Sequence, residues 1–147
     1  MENLLTEIES IFTKNLKSSV DIKNQSEQRE LALRDQMKEI FLGVIDVLDS
    51  FERIEGSIKE RSPVDENIIK TTARFKTVEK KLFNLLKSYG ITRLEFPDNR
   101  LIVGFCEVID TEANSNRKND EIVTVVRNGY IKGSELIRAA QIIIVKN

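Results

Sequence analysis

The sequence predicts an α+β chain: a long N-terminal helix and a helix hairpin that form a dimeric four-helix bundle, followed by a small C-terminal all-β domain. Three observations carry this. Before Gly90 the only helix breakers are Gly43, Gly56 and Pro63, whereas Pro97, Gly104, Gly129 and Gly133 crowd the shorter stretch after it. Between Met37 and Ile58 the apolar residues recur at helical period. Beyond Gly90 the period falls to two or to short β-branched runs. The expected organisation is an N-terminal amphipathic segment over residues 1–24, a helical dimerisation region over 25–90 and a β domain over 91–147.

Leu4, Ile8, Ile11 and Phe12 recur at helical spacing, so residues 2–17 read as a short amphipathic helix. Residues 23–30 hold no large apolar side chain and are either a solvated turn of helix or a break. From about residue 27 to about residue 59 the signal is strong. Met37, Phe41, Val44, Leu48, Phe51 and Ile58 fall in one stripe, widened by Ile40, Val47 and Ile54 on one flank and by Ile45 on the other. That face covers roughly half the circumference, more than the ~100° stripe of a helix lying on one neighbour, and calls for two or three partners.

Ser62, Pro63 and Asp65 supply helix-start chemistry. The second helix carries Ile68, Thr72, Phe75, Val78, Leu82, Leu85, Leu86 and Tyr89 on one side, with Lys87 in its last turn and Gly90 at a left-handed cap. Two helices cannot bury so broad a stripe. A second chain is therefore expected to complete a bundle through Met37, Phe41, Val44, Leu48, Phe51, Phe75 and Leu82. The competing arrangement folds residues 2–17 back over the stripe within a monomer. Further on, residues 91–96, 101–109, 122–127 and 141–146 read as strands. Asn128-Gly129 is a hairpin dipeptide, and residues 110–120 (DTEANSNRKND) form a polar loop.

Composition narrows the function. The 147 residues are 40% hydrophobic and 32% charged with a net charge of −1, so no positive field draws the chain to nucleic acid. With no histidine and one cysteine, Cys106, the chain lacks Ser–His and Cys–His pairs, His-containing metal sites and any internal disulfide. No phosphate-binding glycine loop occurs. Residues 1–17 include Glu2, Glu7 and Glu9, unlike a secretory signal, and no apolar run approaches the ~20 residues of a membrane span. A binding or scaffolding role in a reducing cytoplasm is expected, with no enzyme activity, cofactor, metal, nucleic acid, membrane or small-molecule substrate of its own.

Residues 41–53 (FLGVIDVLDSFER) resemble the LLPVID-x-L-ER stretch of GrpE proteins, the nucleotide exchange factors of DnaK-type chaperones. Residues 85–91 (LLKSYGI) resemble that family's LLxxxGV junction, and residues 127–146 (RNGYIKGSELIRAAQIIIVK) its xKGYxLxGRxLRxAxVxVxK ending. The resemblance implies a homodimeric co-chaperone that binds the ATPase domain of a DnaK-type chaperone and accelerates ADP release. It implies contacts from Arg53 and from the apolar positions of Leu101, Val103, Val126 and Ile144, all of which equally suit plain structural roles: a solvated helix charge paired with Asp49, and β core. A family Arg that contacts the partner falls on Glu135. The family's FDPxxHEA segment falls on residues 101–108 (LIVGFCEV), where Ile102, Val103 and Cys106 replace Asp, Pro and His. These departures leave a second reading open, a dimeric adaptor whose exchange activity is lost or re-targeted to another client. Arg138 is expected to tie the β domain together, Cys106 to be an inert small hydrophobe, and the Asp49/Glu52 pair to be solvated charge.

Overall fold

The computed structural model describes residues 1–61 and 65–147. It contains α1 (Glu2–Lys59), α2 (Glu66–Ser88), β1 (Ile91–Arg93), β2 (Cys106–Glu112), β3 (Ile122–Arg127), β4 (Tyr130–Lys132), β5 (Glu135–Arg138) and β6 (Ala140–Val145). The chain divides into two compact units, Met1–Ile40 and Phe41–Asn147.

The first unit is helical from Glu2 onward, so residues 2–17 are not a separate helix and residues 23–30 are not a break. Six of the eight residues of the stretch KNQSEQRE are straight-chain polar residues, which lose little rotamer freedom in a helix and favour it without apolar contacts. Leu4, Ile8, Ile11 and Phe12 are all more than half exposed.

In the second unit the end of α1 pairs antiparallel with α2. Phe41 meets Tyr89 with ring centroids 5.3 Å apart, and Phe51 meets Phe75 at 5.7 Å. Asp65 takes the N-cap position of α2 without a side-chain capping bond, while Ser62 and Pro63 lie outside the described residues. Gly90 closes α2 at φ +77° as the left-handed residue, its N–H donating to the Lys87 carbonyl at 2.9 Å.

The β domain holds two three-stranded sheets. In the order β1-β4-β5 all pairs are antiparallel; in β2-β6-β3 the β2–β6 pair is parallel and β3–β6 antiparallel. Asn128-Gly129 is therefore not a hairpin turn. It carries the chain from one sheet to the other, and the hairpin turn proper lies between Lys132 and Glu135, where Gly133 has φ +60°. Residues 101–105 are not strand either. Gly104, at φ +86°, bends the chain into a turn in which Phe105 N–H donates to the Ile102 carbonyl, and β2 begins only at Cys106.

Two cores result. One joins Phe41, Ile45 and Leu48 of α1 to Leu86, Ile91, Tyr130 and Ile137; the other joins Leu94, Ile122, Ala140, Ile142 and Ile144. The first corrects part of the expected dimer interface. Phe41 and Leu48 are 6% and 0% exposed because the chain's own α2 and first sheet cover them. Met37, Ile40, Val47, Ile54, Phe75, Val78 and Leu85 stay exposed. A helix stripe half a circumference wide is thus shared between an inner flank that is covered and an outer flank that is not.

Gly129 is buried without a positive φ; its role is close approach. A Cβ placed there falls 2.6 Å from the Ala140 amide nitrogen, which donates to the Phe105 carbonyl, so an added methyl pushes the two sheets apart. Gly129→Ala is expected to lower stability by roughly 1–3 kcal/mol in urea unfolding. Gly43→Ala, on an open helix surface, should instead raise it by roughly 0.5–1 kcal/mol. Equal stability of Gly129→Ala and the parent chain would contradict the close-packing account.

Candidate functional site

Asp46, Asp49 and Glu52 recur every three residues along α1, which sets three carboxylates on one helix face. The β domain presents cations to that row. Arg127, ending β3, donates through Nη2 to Asp46 Oδ1 at 2.8 Å and through Nε to Asp49 Oδ2 at 3.0 Å. Arg138, ending β5, grips Asp49 from the other side with Nη1 to Oδ2 and Nη2 to Oδ1, each 2.8 Å. The same guanidinium donates from Nη2 and Nε to the Asn128 carbonyl at 2.7 and 3.2 Å and lies over the Tyr130 ring. Glu52 accepts from Asn128 Nδ2 at 2.9 Å and from Arg93, whose guanidinium also stacks on Phe83.

This latch is graded in exposure. The side chains of Asp49 and Arg138 are 14% and 13% exposed, those of Asp46 and Arg127 64% and 43%. Burial alone pushes the Asp49 carboxyl upward, but the hydrogen bonds and charges of Arg138 and Arg127 outweigh it and hold the group below its ordinary value of 3.8. Arg138 thus ties the β domain together, through the Asn128 carbonyl and the Tyr130 ring, and ties it to α1 as well through Asp49; Asp49 and Glu52 are paired rather than solvated.

Beside the latch runs an open groove lined by Asp46, Asp49, Ser50, Glu52 and Arg53 from α1, Val126 and Arg127 from β3, and Gln141 from β6. Two of the expected partner contacts, Arg53 and Val126, meet here. Arg53 is exposed and makes no ion pair with Asp49, which the arginines of the β domain occupy; its Nη2 instead donates to Ser50 Oγ at 3.1 Å. Laid on the stretch LLPVID-x-L-ER, the motif's arginine falls on Ser50, so the Arg53 guanidinium reaches back one turn to that place.

The remaining candidates lie outside the groove lining. Val103, at the tip of the Gly104 turn, is 88% exposed, and Glu135 is exposed at the start of β5. Leu101 is half-buried against the second core. Ile144 is a correction: at 5% exposure it belongs to that core, and no partner reaches it without opening the sheet. Among the described residues no three His, Cys, Asp or Glu side chains converge on a metal position, and no helix is long and apolar enough to cross a membrane. Sequence reading missed the latch. Its one visible trace was the three-residue spacing of the acids.

Two helices feeding a two-sheet β domain, latched to the first helix by arginines beside an open groove, define an α+β class with a helical N-terminal and a β C-terminal part. A family model described as GrpE matches residues 1–146. The chain belongs to the GrpE family. It is 24% identical to "Protein GrpE" of Fusobacterium nucleatum subsp. nucleatum over 99% of this chain and 73% of that one. It is 28% identical to "Protein GrpE" of Wolbachia sp. subsp. Brugia malayi over 70% of this chain. The match spans about half, 53%, of the Wolbachia protein.

Because the folded-state pKa of Asp49 is depressed, its contribution to stability is complete above the unfolded-state value and is lost as pH falls through the folded one. Asp49→Asn should therefore show a smaller loss of stability than the parent between pH 5 and pH 2, and at pH 7 a deficit of about 2 kcal/mol from leaving Arg138 half-paired. Parallel pH profiles for the two proteins in urea unfolding would show that the latch carries no such charge.

Proposed function

We propose that the chain works as a homodimeric, non-catalytic exchange factor for a DnaK-type chaperone, using the Arg53–Val126 groove and the exposed Val103 turn to bind the chaperone's ATPase domain. Family membership supplies the class of partner, and the observation that supports the reading most is the groove. It pairs an exposed cation with an exposed apolar side chain on two elements that the latch holds together, the mixture that protein-docking surfaces use.

The homodimer rests on the uncovered flank of α1. Val47 and Ile54 stand exposed seven residues apart on α1, with Val44, half-buried against the first core, and Phe51, stacked on Phe75, at the edge of that flank. Met37 of the first unit is exposed as well. On α2, Val78 and Leu85, neighbours of Phe75, add further exposed apolar surface.

 Phe75 itself is exposed beside them, and Leu82 is half-buried at the edge of the first core. A second copy of the same helices covers that seam.

Exchange then follows from population shift. The factor binds the open, nucleotide-poor ATPase domain more tightly than the closed one, so ADP leaves faster, and by reciprocity nucleotide weakens the complex. Glu135 favours a second reading. Its exposed carboxylate stands where the resemblance has a partner-facing arginine, and a reversed charge against an unchanged acidic partner costs several kcal/mol. On that reading the same dimer serves another client as an adaptor.

Release of a fluorescent ADP from a DnaK-type chaperone of the same organism separates the two. The exchange reading predicts acceleration at micromolar protein, with Arg53→Ala raising the half-saturating concentration about tenfold, or ~1.4 kcal/mol. An unaccelerated release would move the protein to another client.

A further inference from the structure

The two sheets are attached to α1 by different means. The sheet β1-β4-β5 shares a core with the helix through Ile91, Tyr130 and Ile137. Among the described residues, no side chain of β2, β3 or β6 belongs to that core. Yet these strands supply Val126, Arg127 and Gln141, one whole side of the groove. Their polar link to the helix is Arg127, bonded to Asp46 and Asp49.

Apolar contact is non-directional and lets neighbouring surfaces slide, whereas a planar guanidinium bonded to two carboxylates fixes distance and angle together. Asp49 accepts from Arg138 as well, so one carboxylate is held from both sheets at once. We propose that Arg127 is a positioning residue: bound to Asp46 and Asp49, it fixes the sheet β2-β6-β3 against α1 and holds Val126 and Gln141 opposite Arg53 in the docking geometry. This rests on the reading of the groove as the partner site.

The consequence for binding is a population cost. If the groove without Arg127 keeps its docking geometry about a tenth of the time, the apparent dissociation constant rises about tenfold while the bound state, and with it the rate at saturation, is unchanged.

The test combines a distance with a titration. In a Cys106→Ala background, Gly43→Cys on α1 and Thr124→Cys on β3, both exposed, carry spin labels, and the doubly labelled chain is diluted into unlabelled chain to leave only intramolecular distances. The full chain should give one narrow distance. Arg127→Ala should broaden it, and Arg127→Lys should restore part of the narrowing. In ADP release, Arg127→Ala should raise the half-saturating concentration about tenfold with the saturating rate changed less than twofold. Asp46→Ala and Arg127→Ala should be non-additive in that constant, because they remove the same link.

An unchanged distance distribution in Arg127→Ala overturns the proposal. If affinity falls all the same, Arg127 is a direct contact; if it does not, Arg127 is a surface charge. Failure of the unmodified protein to accelerate release would sink the exchange reading and leave the distance arm to decide the positioning role by itself.

Discussion

Everything in the second unit depends on how the last five turns of α1 divide their circumference. Phe41, Ile45 and Leu48 face the chain's own core, Asp46, Asp49 and Glu52 face the arginines of the β domain, and Val47 and Ile54 face outward. A helix offers a given residue one direction only, so these three demands are met by interleaving positions three and four apart. Moving any one of them by a single residue would rotate it by about 100° into another's sector.

The hydrophobic flank and the acidic row contribute different things. Burial of Leu48, Ile45 and Tyr130 to 1% exposure or less supplies driving force without orientation. A part-buried ion pair supplies little net stability, since desolvation offsets most of its attraction, but its geometry is demanding. Asp49 gathers Arg127 and Arg138 from separate sheets, and Glu52 gathers Asn128 and Arg93, so two carboxylates about one turn apart orient the whole β domain. The groove inherits its shape from them.

Much of this was legible in the residues. Breaker density located the change from helix to strand, Gly90 declared its cap, and residues 122–127 read correctly as β3. What failed did so for stated reasons. Periodicity is silent over residues 23–30 because nothing apolar marks the face, although helix propensity carries the backbone through. Asn128-Gly129 has hairpin chemistry, but Gly129 was needed for its missing Cβ rather than its φ, a contact with Ala140 that no local rule shows. Periodicity likewise counts Phe41 and Leu48 as stripe without telling a neighbour in the same chain from one in another. The latch joins residues about eighty positions apart, beyond the reach of any local pattern.

The outward sector of α1 carries the claim on which the functional account turns, that a second copy of the chain completes the structure. Sedimentation equilibrium across a dilution series, with Val47→Asp beside the parent chain, tests it most directly. The account predicts a mass of two chains for the parent at micromolar concentration and one chain for Val47→Asp, with the β-domain spectrum preserved because Val47 lies outside both cores. A single-chain mass for the parent at every concentration would contradict it.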